Sequence, residues 1–273
     1  LGADLNLRLG MVATAAGYDR GDLAMLREAV AANEAALTVI SPDTGPATWF
    51  GAEHNRALGL IYLGELTGDP GPVEQAATRL RASLRARPDG VPARRAAISI
   101  NSLGAAWQHI GMAMGQAGPV RRAAGYFRAA ARAYAAAGHP EDAQRSTYNR
   151  GLAWTVIGDL EGDPAAYDRA IAIFETVRAE MTPDRDLRAW ANVSSAIAQT
   201  RANRGSIPGE PAPLVDAIAD SQRILDAMPR ERYPSWWVMA MVDHCDFRLR
   251  LASLRGDPAG LIAAAEGTRA AIE

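Results

Sequence analysis

Six glycines recur at a spacing of 47 residues: Gly21, Gly68, Gly115, Gly162, Gly209 and Gly256. Glycine supplies only 25 of the 273 residues, so composition alone does not produce such a column. A chain that repeats its structure-breaking residue at a fixed interval repeats one supersecondary unit, and units of this size bury their apolar faces by stacking on their neighbours. Other columns keep the period. An alanine column holds Ala29, Ala76, Ala123, Ala170, Ala217 and Ala264, and an apolar one holds Leu26, Val73, Val120, Tyr167, Leu214 and Leu261. A small-residue column runs Gly10, Ala57, Gly104, Gly151, Ala198 and Cys245. A second glycine column runs Gly17, Gly64, Gly111, Gly158 and Gly205, with Ala252 last. Trp49, Trp190 and Trp237 also share a column.

Each unit reads as two helices. In the second unit Trp49 to Leu66 carries apolar residues at helical spacing, and Val73 to Arg87 places Val73, Ala76, Ala77, Leu80 and Leu84 on one stripe. Between them, Thr67-Gly68-Asp69-Pro70-Gly71 is a break. Glycine suits the left-handed residue that ends a helix, and proline suits the first turn of the next. Acidic residues after the breaks, Asp163 among them, read as helix-start residues. No segment alternates as a strand does. The expectation is an all-α chain: an α-solenoid of about six stacked helix-turn-helix repeats. The repeats fall at approximately 1–45, 46–91, 92–139, 140–184, 185–231 and 232–273, in a single domain. The longest loop, 205–213, lies within a unit and marks no boundary.

Several chemistries are excluded by residue type. All 29 basic residues are arginine. Without lysine there is neither a Walker A phosphate loop nor a Schiff base. Four histidines form no zinc motif. Asp243-His244-Cys245-Asp246 resembles a ligand cluster, but adjacent helical residues point about 100° apart. Cys245 also occupies the small packing column, which predicts a buried structural thiol. No metal, cofactor or catalytic set is expected, and the chain is read as not an enzyme. A net charge of −2 draws it to neither nucleic acid nor membrane. A single cysteine fits a cytoplasmic setting. The first residue is Leu1 rather than Met, which suggests a piece of a longer chain.

The unit resembles a tetratricopeptide repeat. That pattern appears as Gly151, Trp154, Ala170, Phe174, Val177 and Pro183 in the fourth unit, and as Gly104, Trp107, Ala123, Phe127 and Ala130 in the third. The difference is length, 47 residues against the family's 34, and the additional residues predict longer helices. The chain also looks like long-repeat bacterial arrays found beside protease, cyclase or signalling NTPase domains. The resemblance implies that the repeats wind into a right-handed superhelix, a scaffold whose first helices line a concave groove for a peptide or protein segment. The alternative is a sensory or autoinhibitory segment of a larger protein.

Aligned with the small column, the groove-facing columns hold Asp4, Gly51, Ile98, Arg145, Asn192 and Met239; Leu7, His54, Asn101, Tyr148, Ser195 and Val242; and Arg8, Asn55, Ser102, Asn149, Ala196 and Asp243. A later turn adds Tyr62, His109, Asn203 and Arg250. The site candidates are Asn55, Asn149, Asn101, His54, Tyr148, Arg145, Asn192, Tyr62, His109, Asn203 and Arg250. Asparagine suits a peptide backbone because its amide both donates and accepts. Trp49, Trp190 and Trp237 are expected in packing between repeats, as are Trp107 and Trp154 at the bulky core position. Trp236 is either an exposed anchor or a cap on the core. Unfinished helical ends also raise end-to-end self-association.

Overall fold

The computed structural model describes residues 2–207 and 210–272; Leu1, Pro208, Gly209 and Glu273 lie outside it, as do the side chains of residues 2–5, 7 and 272. The expected groove positions Asp4 and Leu7, and Gly209 of the glycine column, are therefore not described further. The described residues form twelve α-helices: α1 (Gly2–Arg20), α2 (Leu23–Leu37), α3 (Pro46–Thr67), α4 (Pro70–Arg85), α5 (Ala93–Met114), α6 (Ala117–Ala136), α7 (Pro140–Glu161), α8 (Pro164–Arg178), α9 (Leu187–Gly205), α10 (Ala212–Ala227), α11 (Pro234–Arg255) and α12 (Pro258–Ile272). The contacts divide them into two compact units, residues 1–150 and 151–273, with α7 running through the division.

The 47-residue glycine column is the helix-to-helix turn. Gly68 sits at φ 70° after α3, in the left-handed region that ends a helix at little cost only for glycine. The aspartate that follows is the next helix's N-cap. Asp69 accepts from the Gly71 amide (2.9 Å), and Asp163 accepts from the Ala165 amide (3.0 Å).

The second glycine column lets the two helices of a hairpin touch. A methyl on Gly158 would lie 2.6 Å from the Tyr167 ring, and one on Gly205 would meet the backbone nitrogen of Leu214. The small column faces the aromatic of the family pattern, Gly104 against Phe127 and Gly151 against Phe174. The alanine column is buried throughout. The longer helices are also present, with α3, α5, α7 and α11 each 22 residues long.

Within each unit the helices pack in sequence. In residues 1–150 each hairpin lies against the next, α2 on α3 and α4 on α5. First helices also touch, α1 with α3 and α3 with α5. One buried cluster there joins Ile61 of α3, Val73 and Leu80 of α4, and Leu103 and Ile110 of α5. In residues 151–273, α8 packs on α9, α10 on α11, and α9 touches α11.

The tryptophans divide between packing clusters. Trp49 packs beside Phe50 and Ala96, and Trp107 beside the α3–α5 cluster. Trp190, Trp236 and Trp237 close on Ile224 and Met228. Trp236 therefore belongs to the cap of that core. Cys245 is buried, with its Sγ against Gly267. No helix among the described residues is long and apolar enough to cross a membrane.

Candidate functional site

In the first unit the first helices α1, α3 and α5 border an open groove of about 460 Å³, lined by Arg8, Met11, Gly51, His54, Asn55 and Ile98 among others. Five of these six come from the three columns expected to face a groove. Gly51 keeps the wall low: a methyl there would lie 3.2 Å from Arg95 Nη1. The wall residues Thr48 and Arg95 escaped the columns because they sit three residues earlier on α3 and α5 than Gly51 and Ile98. Arg95 bends back along the helix surface and donates to the Ala47 carbonyl at 2.7 Å. The signal for it was its length: a long guanidinium stem reaches a neighbouring helix from a column that small side chains cannot use.

His54 anchors this groove from below. Its Nδ1 lies 3.2 Å from Ser99 Oγ. Burial, with the Arg95 charge adding to it, lowers its pKa to about 4. The imidazole is therefore neutral at physiological pH. Among the described residues none hydrogen-bonds to Asn55, so its amide keeps both donor and acceptor toward the groove.

The remaining candidates are placed differently. Asn101 Oδ1 accepts from Ser146 Oγ (3.1 Å) and from Asn149 Nδ2 (3.4 Å). The Asn55 and Asn149 pair of one column is thus divided, with Asn149 tying α7 to α5. Arg145 is 72% exposed and lies 3.5 Å from Asp142 Oδ1 on its own helix. Tyr148 is half-buried and Asn192 exposed. Tyr62 stacks on Tyr18 with ring centroids 3.9 Å apart, and burial, followed by the Glu65 charge, raises the pKa of its phenol. His109 is half-buried, and its Nε2 has no hydrogen-bond partner among the described residues.

In the second unit Asn203 is enclosed by partners. It donates to Asp159 Oδ1 (2.9 Å) and accepts from Gln199 (2.9 Å) and Arg250 (3.1 Å). Tyr167 also donates to Asp159, at 2.8 Å. Arg250 pairs with Asp246 at 2.7 Å. The carboxylate expected for Arg250 is thus supplied by its own helix, as it is for Arg145.

The Asp243 to Asp246 run disperses as adjacent helical positions do. His244 Nδ1 lies 2.9 Å from Ser221 Oγ, Cys245 is buried and Asp246 binds Arg250. No group of three histidine, cysteine or acidic side chains among the described residues is placed to hold a metal ion.

No family model matches the chain, and no curated protein matches it. Among solved structures it is similar to a tetratricopeptide repeat protein from Parabacteroides merdae, at 12% identity and a TM-score of 0.31, over 98% of this chain and 100% of that one. A score of that size does not separate one array of helix hairpins from another, and the architecture above stands on its own helix pairs.

Proposed function

We propose that this chain is a protein-interaction module, a long-repeat variant of the tetratricopeptide type. Its groove along α1, α3 and α5 takes an extended segment of a partner protein. The period continues through residue 150 within one helix, which supports reading residues 1–273 as one repeat domain. The observation that carries the functional reading is the state of Asn55. Three groove-facing columns converge on one open surface, and there the asparagine has no hydrogen-bond partner among the described residues. An amide so placed reads a peptide backbone by donating and accepting at once. Gly51 leaves room for the strand, and Met11 and Ile98 supply apolar walls.

The test is a displayed random-peptide library panned on the 273-residue chain, with the selected peptides measured by fluorescence anisotropy. Asn55→Ala is expected to weaken them about tenfold, the value of one to two hydrogen bonds, with an unchanged melting curve. Asn203→Ala, in the enclosed network, is expected to leave the affinity within about twofold. Equal losses at both positions, or a loss at Asn203 alone, would move the site away from this groove. If no peptide is selected, the regulatory-segment reading gains, in which the ligand is a neighbouring part of the same protein.

A further inference from the structure

The second helices differ in charge from one repeat to the next. Together α4 and α6 carry seven arginines, all exposed, against one acidic residue, Glu74. By contrast, α8 and α10 carry five acidic residues and three arginines. The register sharpens the difference. Arg81 and Arg85 stand four residues apart on α4, and Arg128 and Arg132 occupy the same two columns on α6. Like charges at that spacing share one helix face and repel. No other repeat has the pair: its columns read Glu34 and Thr38 in the first, Glu175 and Ala179 in the fourth, Gln222 and Asp226 in the fifth, Arg269 and Glu273 in the sixth. None of the four paired arginines has an ion-pair or hydrogen-bond partner among the described residues.

The same region holds a cleft. Helix α5 packs on both α4 and α6. Beside α4, an opening of about 240 Å³ is lined by Glu74, Ala77, Thr78, Arg81, Trp107 and Ile110. Its inner wall is apolar, with room for one large apolar side chain. Arg122 of α6 lies over the Trp107 ring, its guanidinium carbon 4.9 Å from the centroid. A guanidinium held on a ring is positioned before any ligand arrives, and its N–H donors have no acceptor among the described residues. The tryptophan and arginine recur one period later, Arg169 over Trp154 at 4.5 Å, and their columns pair in no other repeat.

We propose that the face of α4 and α6 is a second docking surface, for an acidic segment of a partner protein. An apolar side chain of that segment enters the cleft, and carboxylates beside it pair with Arg81, Arg122 and the Arg128 and Arg132 pair. The charge selects an anion, because a bound carboxylate relieves each like-charged pair and no described residue does. Two features select a protein over a nucleic acid. The Trp107 ring lies under Arg122 and packs on the α3–α5 cluster, so it is engaged by the protein's own side chains rather than presented for a base to stack on. Glu74 stands in the same wall and repels an unbroken line of phosphates, whereas a polypeptide can offer it a backbone N–H. The cleft shares no residue with the groove of α1, α3 and α5, so this surface holds or fails independently of the groove.

The experiment is fluorescence anisotropy on the 273-residue chain with three labelled probes: a synthetic peptide of one leucine flanked by glutamates, the same peptide with alanine for the leucine, and single-stranded oligothymidylate. The leucine peptide is expected to bind, losing about tenfold in affinity between about 50 mM and 500 mM salt. The alanine peptide is expected to bind about tenfold more weakly. Arg81→Glu and Arg122→Gln should each weaken the leucine peptide about tenfold. Arg27→Glu, the same charge change on the exposed surface of α2, should stay within about twofold. Asn55→Ala should leave this peptide unaffected, and circular dichroism melting checks that each variant is folded. Failure of the leucine peptide to bind overturns the proposal, as does an equal loss with Arg27→Glu or equal affinity for the alanine peptide. A loss with Asn55→Ala would place the peptide in the groove, and tighter binding of oligothymidylate would make the face one for nucleic acid; either result overturns it.

Discussion

Asn55 in the first unit and Asn203 in the second are both asparagines on first helices, yet they stand in opposite states. Asn55 faces an open groove beside a glycine and an uncharged histidine. Asn203 is bonded to Asp159, Gln199 and Arg250, and the network extends to Tyr167 and Asp246. The second unit also contains Asp220, whose side chain is 1% exposed and meets Arg201 (2.5 Å), Arg178 (3.9 Å) and Arg223. Arg201 in turn pairs with Glu175 at 2.7 Å. A polar side chain is available to a partner only if its neighbours leave it unsatisfied. Around Asn203 the neighbours are charged and long, and they consume the hydrogen-bonding capacity that Asn55 keeps open among the described residues of the first unit.

The largest test of this contrast is Asp220→Ala. It strands Arg201 without its buried carboxylate, and breaking a buried pair from one side costs about 3–5 kcal/mol. Urea unfolding should show the loss, whereas Arg145→Ala, on the exposed surface of the first unit, should stay within about 0.5 kcal/mol. Equal effects would erase the distinction between a cross-linked unit and an open one.

Next in size is Gly205→Ala. The added methyl meets the backbone of Leu214, which cannot rotate away, so a cost of about 1–3 kcal/mol is expected in thermal melts. Gly125→Ala, on a helix face with no atom within 4 Å, should instead stabilise by about 0.5–1 kcal/mol.

The third test compares His54 with His244. Each lies beside a serine hydroxyl, Ser99 and Ser221, and each pKa is lowered chiefly by burial. For His54 the folded value is about 4 against 6.5 for the free side chain. The unfolded chain therefore takes up a proton first as pH falls. The stability due to neutral His54 is complete above about pH 6.5 and is lost as pH drops toward 4. His54→Gln should flatten that acid-side fall in melting temperature, with His244 left as the remaining contributor. An unchanged slope would show that His54 is protonated as readily in the fold as out of it.

Much of the fold was legible because packing in a repeat is local and periodic. Gly68 ends a helix wherever a left-handed residue is needed, Asp69 caps the next, and Ala76 permits close approach. Each of these acts on neighbours fixed by the 47-residue period. The candidate site was legible only by column. Asn55, His54, Gly51 and Ile98 come from those columns and line one groove, whereas Arg95 stands outside them, because a long side chain acts at a distance its own column does not record. The column of Asn55 gave no warning that Asn149 would be tied to Asn101, because a hydrogen bond across helices depends on which residue stands 48 positions earlier.

The amino-acid sequence alone determined that the chain is all-helical, that its helices come in pairs, and which faces those pairs bury. These follow from backbone preference and from apolar periodicity, which act over a few residues and repeat without change. Only the tertiary structure decided which polar residues remain open. Satisfaction of a donor or acceptor depends on geometry within about 3 Å, and side chains from three different helices compete for it.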